Sequence, residues 1–307
     1  MPTIDLTTPP PLPAGTLEGL PRRVALTLPE LRLLAESAGN APLPFDFGQP
    51  AGGSALETRL GQTKGAADDE AYRAALATLH DPAGSLSRRG LLTDDLPDQG
   101  VAGALGLLAA PAVALDLDVV LDRVRGRAWH RQRDDAVATL ATTDGLVFEL
   151  AWFSSEQWPG ELARVPALPA DLGLEPSAAP DVVDLPYELL DAGAEALRTG
   201  RSDLLDTIVA HHSGAVTGPD GAAVDDAAVT TLVSALVAET RGRLRALVAD
   251  IDAGGAMVGV VSWVLLADGW RQLLGHQTDD AQRVEVRRVQ PTDLAATLAP
   301  VLAEVTG

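Results

Sequence analysis

Residues 113–153 constrain the fold more than any other stretch. Val113, Leu115, Leu117 and Val119 alternate with Ala114, Asp116 and Asp118, the period-two pattern of a strand with one buried face. Further strands fit residues 124–133, 137–143 and 146–153, and Asp144-Gly145 between the last two supplies the positive φ of a tight hairpin turn. Strands so closely connected pair with their neighbours, which makes this segment an antiparallel meander. It is preceded by a short strand at 24–28 that runs into a helix from Pro29 to Ala35. Thr27 can cap that helix, with Pro29 at an early position and Glu30 completing a capping box. Between them lie a Gly-, Ala- and Thr-rich loop at 48–66 and helices at 67–79 and 101–109. A short helix at 155–165 closes the segment.

The same order then returns. Val182, Val183, Asp184 and Leu185 lead through Pro186 into a helix at 187–198, and Ser202 is placed to cap a second at 203–212 that ends before Gly214. A third, at 225–238, carries Val229, Leu232, Val233 and Leu236 on one stripe. Strands at 243–251, 258–267, 270–274 and 284–289 follow, with Asp268-Gly269 as a turn, and a helix at 292–305 containing Pro300 ends the chain. The expected fold is α+β: two pseudo-symmetric halves, 22–165 and 182–307, each helices plus an antiparallel meander, sharing a central sheet. A Pro-rich linker at 166–181 joins them, and residues 1–21, with Pro9, Pro10, Pro11 and Pro13, form a disordered tail.

Composition narrows the function. Hydrophobic residues make up 46% of the 307 residues, enough for a sizeable core. A net charge of −20 disfavours nucleic acid and anionic membranes, which reward clustered Lys and Arg. The arginines at 123, 125, 127, 131 and 133 read as a solvated strand face, with a local basic patch as the alternative, and the acidity points to a partner that is neutral or basic where it touches. Without cysteine there are no disulfides and no thiolate sites. No secretory leader and no run of ~20 apolar residues is present, so no membrane insertion and a cytoplasmic location are expected.

Little in the sequence supports catalysis. There is no phosphate-binding glycine loop and no nucleophile elbow. His211 and His212 are adjacent, so on a helix they point about 100° apart and suit a helix C-terminus better than a metal. The pairs Asp94-Asp95, Asp134-Asp135, Asp225-Asp226 and Asp279-Asp280 fall where turns and caps favour aspartate. No catalytic residue, metal or cofactor is expected. An enzyme using groove carboxylates remains as a minor alternative.

Three stretches carry a family resemblance. The opening VALTLPELRLLAESAG, the middle PAVALDLDVVLDRVRGRAWH with AVATLATTDGLVFELAWF, and the closing GVVSWVLLADGWRQLLG with VEVRRVQPTDLAATLAPVLAEV are similar to the EspG family. Its members are cytosolic chaperones of type VII (ESX) secretion, and the resemblance spans about residues 22–305. It departs after Ser262-Trp263, where Val264-Leu265-Leu266 stands in place of an early acidic residue. The resemblance implies a chaperone that shields the apolar helical tip of a PE/PPE or WXG-like substrate before export, with a homodimer left open. An EspG-like interaction or regulatory protein without a secretion client is the alternative. For the partner surface we expect the helical layer of the second half, Leu189, Leu190, Leu204, Leu205, Ile208 and Val209, whose apolar side chains exceed what a two-helix hairpin buries. Trp263 joins them as a tryptophan facing the partner.

Overall fold

The computed structural model describes residues 21–45, 81–122, 124–252, 258–278 and 281–306. The expected tail (all but its last residue), the loop at 48–66, the helix at 67–79 and the pair Asp279-Asp280 lie outside the described residues. The strands are β1 (Arg22–Thr27), β2 (Leu92–Thr93), β3 (Leu96–Pro97), β4 (Val113–Leu121), β5 (Val124–Arg133), β6 (Ala136–Thr142), β7 (Val147–Ser154) and β8 (Val182–Pro186). They continue with β9 (Gly242–Asp250), β10 (Val258–Leu266), β11 (Gly269–Gln277) and β12 (Gln282–Arg288). The helices are α1 (Leu28–Ser37), α2 (Pro82–Arg88), α3 (Gln99–Ala109), α4 (Trp158–Arg164), α5 (Tyr187–Arg198), α6 (Leu205–His211), α7 (Asp226–Ala238) and α8 (Leu294–Thr306).

Ten strands form one sheet in the order β1-β7-β6-β5-β4-β9-β10-β11-β12-β8. That order mirrors itself about the β4–β9 pair. Each meander runs outward from the centre, and the strand that preceded it in the chain, β1 or β8, returns to the outer edge. The fold is α+β with two related halves, as the order of elements suggests. Contacts gather the chain into two units. One holds residues up to Ala112 with His130–Leu140 and Gly145–Trp158; the other holds Val113–Trp129, Ala141–Asp144 and the chain from Pro159 onward.

In the first unit β1 pairs antiparallel with β7, setting Leu26 opposite Phe148 and Val24 opposite Leu150. The capping box at the start of α1 forms: Glu30 N–H donates to Thr27 Oγ1 at 3.4 Å, and Thr27 N–H donates to Glu30 Oε2 at 2.8 Å. Helix α1 then buries Leu31, Leu34 and Ala35. Asp98 caps α3, accepting from Gly100 N–H at 2.9 Å, and Gly100 lets that helix lie on β7. A Cβ there would stand 2.8 Å from the Trp152 indole.

His130 on β5 is buried and accepts a hydrogen bond at Nδ1 from Trp158 Nε1–H at 2.9 Å. Burial, helped by the neighbouring Arg131 charge, pushes its pKa down to about 3. The unfolded chain therefore takes up a proton below pH ~6.5 that the folded protein refuses. Stability from this site is whole above that pH and drains away as the pH falls toward 3. We predict a loss of about 2–3 kcal/mol between pH 7.5 and pH 4.5 from this residue. His130→Gln, which keeps an acceptor for Trp158, should lose correspondingly less in urea unfolding at the two pH values. Equal losses in both proteins would refute the assignment.

In the second unit, α5, α6 and α7 cover the strands β8 and β12. Leu189 of α5, Leu205 and Val209 of α6 and Val229, Leu232, Val233 and Leu236 of α7 share one core with Val183, Leu185, Val284 and Val286. Gly193 brings α5 close to α7, since a Cβ there would stand 2.7 Å from Val233. Asp225 caps α7 through Ala228 N–H at 3.0 Å. Ser202 does not cap its helix: it opens a 3-10 turn, Ser202–Leu204, whose N-cap Arg201 makes no side-chain cap bond. Helix α8 packs on β9 and β10, with Val301 and Val305 against Gly259.

The expected linker is a strap. Pro166 O accepts Trp270 Nε1–H at 2.8 Å, Gly173 O accepts from Arg241 at 2.9 Å, Glu175 N–H donates to Ala267 O at 2.9 Å and Asp181 O accepts Arg288 N–H at 2.7 Å. The buried Arg271 adds a bond to Asp268 at 2.9 Å and another to Ala179 O at 3.4 Å.

Candidate docking interface

The helical layer of the second half is mostly core. Leu189, Leu205 and Val209 are buried, and Leu190 and Ile208 are partly buried against the same cluster. Only Leu204, 38% exposed, offers surface. The cause is α7: its stripe of Val229, Leu232, Val233 and Leu236 absorbs the apolar side chains that a two-helix hairpin would leave over. Trp263 is also fully buried, its ring centroid 6.2 Å from that of Trp270. In this conformation Leu189, Leu205, Val209 and Trp263 are out of a partner's direct reach.

The structure places apolar surface elsewhere, on the sheet. In the antiparallel ladders Leu115, Leu117 and Val119 of β4 stand opposite Val248, Ala246 and Leu244 of β9, which in turn stand opposite Gly259, Val261 and Trp263 of β10. Residues directly opposite share a face, and the side chains of this one are buried wherever β4 and β9 contribute them. The alternate residues make the other face. Asp116 lies opposite Leu247 and Leu247 opposite Val260; Val120 lies opposite Arg243; Ala114 lies opposite Ala249 and Ala249 opposite Val258. Val258 and Val260 are 57% and 49% exposed, and Val120, Arg243 and Arg245 are exposed as well. Three adjacent strands are thus sealed on one side, while on the other the α5–α7 cluster covers only the end of β10, at Val264 and Leu266, and the rest presents a strip of valine and leucine.

This face has no signal of chemistry. Among the described residues no group of three or more His, Asp or Glu could hold a metal ion. Asp94, Asp95 and Asp134 adopt φ of 50°, 62° and 50°, the left-handed turn conformation aspartate tolerates. His211 ends α6, its ring centroid 5.1 Å from that of His212. A groove in the first unit, lined by Gly100, Gly103, Ala104, Leu107, Trp152 and the Asp134-Asp135 turn, is apolar on its floor. No described helix is long and apolar enough to cross a membrane.

Sequence reasoning missed the open face although part of its signal was present. Arg243 and Arg245 alternate with Leu244 and Ala246, the pattern of a strand with one wet side. Strand β10 hid it, because Val258, Val260, Val261, Trp263 and Val264 make both of its sides apolar, as in a strand buried on both faces.

No family model and no curated protein matches the chain. Among solved structures, the fold matches that of the Mycobacterium tuberculosis type VII secretion system chaperone EspG5, determined in complex with the PE25–PPE41 dimer. The TM-score is 0.61 at 12% identity, covering 92% of this chain and 97% of that one. The chain has the EspG fold.

Proposed function

We propose that this chain is a cytoplasmic, non-catalytic chaperone of type VII secretion. It would hold the apolar helical end of a PE/PPE-type or WXG-like substrate against the open face of β4, β9 and β10. We read residues 22–165 and 182–307 as its two halves, with 166–181 strapping the second. The observation that carries the proposal is the one-sided burial of β4, β9 and the first part of β10, since soluble proteins rarely leave a contiguous apolar strip uncovered without using it. The fold shared with a chaperone solved on a PE–PPE dimer supports the class of partner. Covering Val258, Val260, Leu247 and Val120 removes apolar area from water at roughly 25 cal/mol per Å². The helical-layer residues of the sequence reading then flank the face on the same side of the sheet as its buried border, with the exposed Leu204 able to extend it.

The test is co-expression with a PE–PPE heterodimer of the host, followed by co-purification. Val260→Glu should weaken capture by about 30-fold or more, the size of an interface hot spot, while melting as the wild type does because Val260 is half exposed. Capture that survives this substitution, and Val258→Glu with it, would falsify the assignment of the face. A chain that dimerises through the face instead would show a concentration-dependent mass lost in the same variants.

A further inference from the structure

The open face carries charge in an uneven arrangement. Asp118 on β4 stands directly opposite Arg245 on β9, the natural position for a cross-strand pair. Its carboxylate is taken instead by Arg125 on β5, whose Nε lies 3.0 Å from both oxygens and whose Nη2 also bonds Oδ2. Arg127 Nε stands 3.9 Å away on the same carboxylate. Arg245 is left exposed, and so is Arg243, which lies between Val120 and Val264 in the ladder. Among the described residues neither arginine has an ion pair or side-chain hydrogen bond. In a chain whose net charge is −20, this strip is locally basic: Arg125, Arg127, Arg243 and Arg245 against Asp116 and Asp118.

A wholly apolar partner would trap both guanidinium groups without counter-charge, and desolvating an unpaired ion is strongly unfavourable. A partner bringing carboxylates turns the same two groups into bidentate contacts. Geometry narrows the match. Two residues apart on one strand, Arg243 and Arg245 are separated by about 7 Å along it, and side chains at i and i+4 on a helix are roughly 6 Å apart.

Resting on the docking reading above, we propose that the occupant of this face is a helix end whose apolar residues are flanked by an i, i+4 pair of Asp or Glu that meets Arg243 and Arg245. This replaces the expectation of a neutral or basic partner: whole-chain acidity does not describe the place where contact is made.

Two designed, side-chain-stapled helical peptides provide the probe. They share one apolar face and carry either two Glu or two Lys at the flanking i, i+4 positions. Fluorescence anisotropy with the full chain should show the Glu peptide binding about tenfold more tightly than the Lys peptide. The preference should shrink between about 50 mM and about 300 mM salt and reverse in the double variant Arg243→Glu/Arg245→Glu. No binding of the Glu peptide, equal binding of the two, or a preference that survives charge reversal overturns the inference. Val260→Glu separates the two levels. If it abolishes binding of peptides that show no charge preference, the docking face stands and the acidic flank falls. If it changes nothing, the docking face itself falls.

Discussion

Leu205→Asp leaves no stably folded protein to assay for binding. Leu205 is 3% exposed and packs in the cluster that joins α5, α6 and α7 to β8 and β12. Its Cδ1 stands 3.3 Å from the point where a Cβ on Gly193 would lie, so the helices have no slack around it. Removing the isobutyl group costs about 2–5 kcal/mol in lost burial and cavity. Placing a carboxyl group there without partners adds about 1–3 kcal/mol more, most of it spent keeping the acid protonated. The sum rivals the 5–15 kcal/mol that typically separates a folded domain from its unfolded chain. The neighbouring Leu204→Asp, at a surface position, should shift stability by no more than about 0.5 kcal/mol. Urea unfolding of the two variants makes the contrast direct. A Leu205→Asp protein with wild-type stability that had merely lost its partner would show Leu205 to be a contact residue, as the sequence alone suggests, and the packing described above to be wrong.

The second large effect comes from a single added methyl group. Gly259→Ala should destabilise the protein by about 2–4 kcal/mol, above the usual range for overpacking a core, because the new Cβ would stand 2.1 Å from Val301 Cγ1 and 3.3 Å from Val305 Cγ2. Valine in a helix is held to one χ1 rotamer, so Val301 cannot swing away and α8 must lift off β9 and β10. The side chains below it, Val248, Val261 and Trp263 among them, then lose their seal. Val301→Ala removes the offending methyl, and the double variant should be more stable than the sum of the two single effects predicts by at least about 1 kcal/mol. Strict additivity in that cycle would show that α8 does not rest on this glycine.

Local rules made much of the fold legible. The Thr27 and Glu30 box and the α7 stripe form where residue chemistry demands, and Gly145 takes its positive φ of +69°, though in a four-residue loop between β6 and β7 rather than a tight turn. Each is decided within a few residues. The burial of the residues expected to meet a partner is not. Counting apolar residues on α5 and α6 says nothing of whether a third helix closes over them, and α7 does. Tryptophan is informative at an interface only when exposed, and Trp263 sits on the side of β10 that α8 seals. The open face escaped for the converse reason: its valines on β10 look like core residues until register and neighbours are known, because among the described residues the helical layer reaches Val264 and Leu266 but leaves Val258 and Val260 exposed. Charge behaved the same way. The net value is a property of the chain, whereas Arg245 lost its cross-strand acid to Arg125 through a pairing only the sheet reveals.

The sheet's centre also dictates when the binding surface can exist. Strand β4 spans residues 113–121 and its partner β9 spans 242–250, so more than a hundred residues must leave the ribosome before the two can zip together. Pairings between segments so distant in the chain are slow to close. Until they do, the edge of β4 is unsatisfied and prone to wrong partners. On the function proposed above, an incomplete nascent chain has no platform to offer a client, and translation itself would order the two events: finished chain first, capture second.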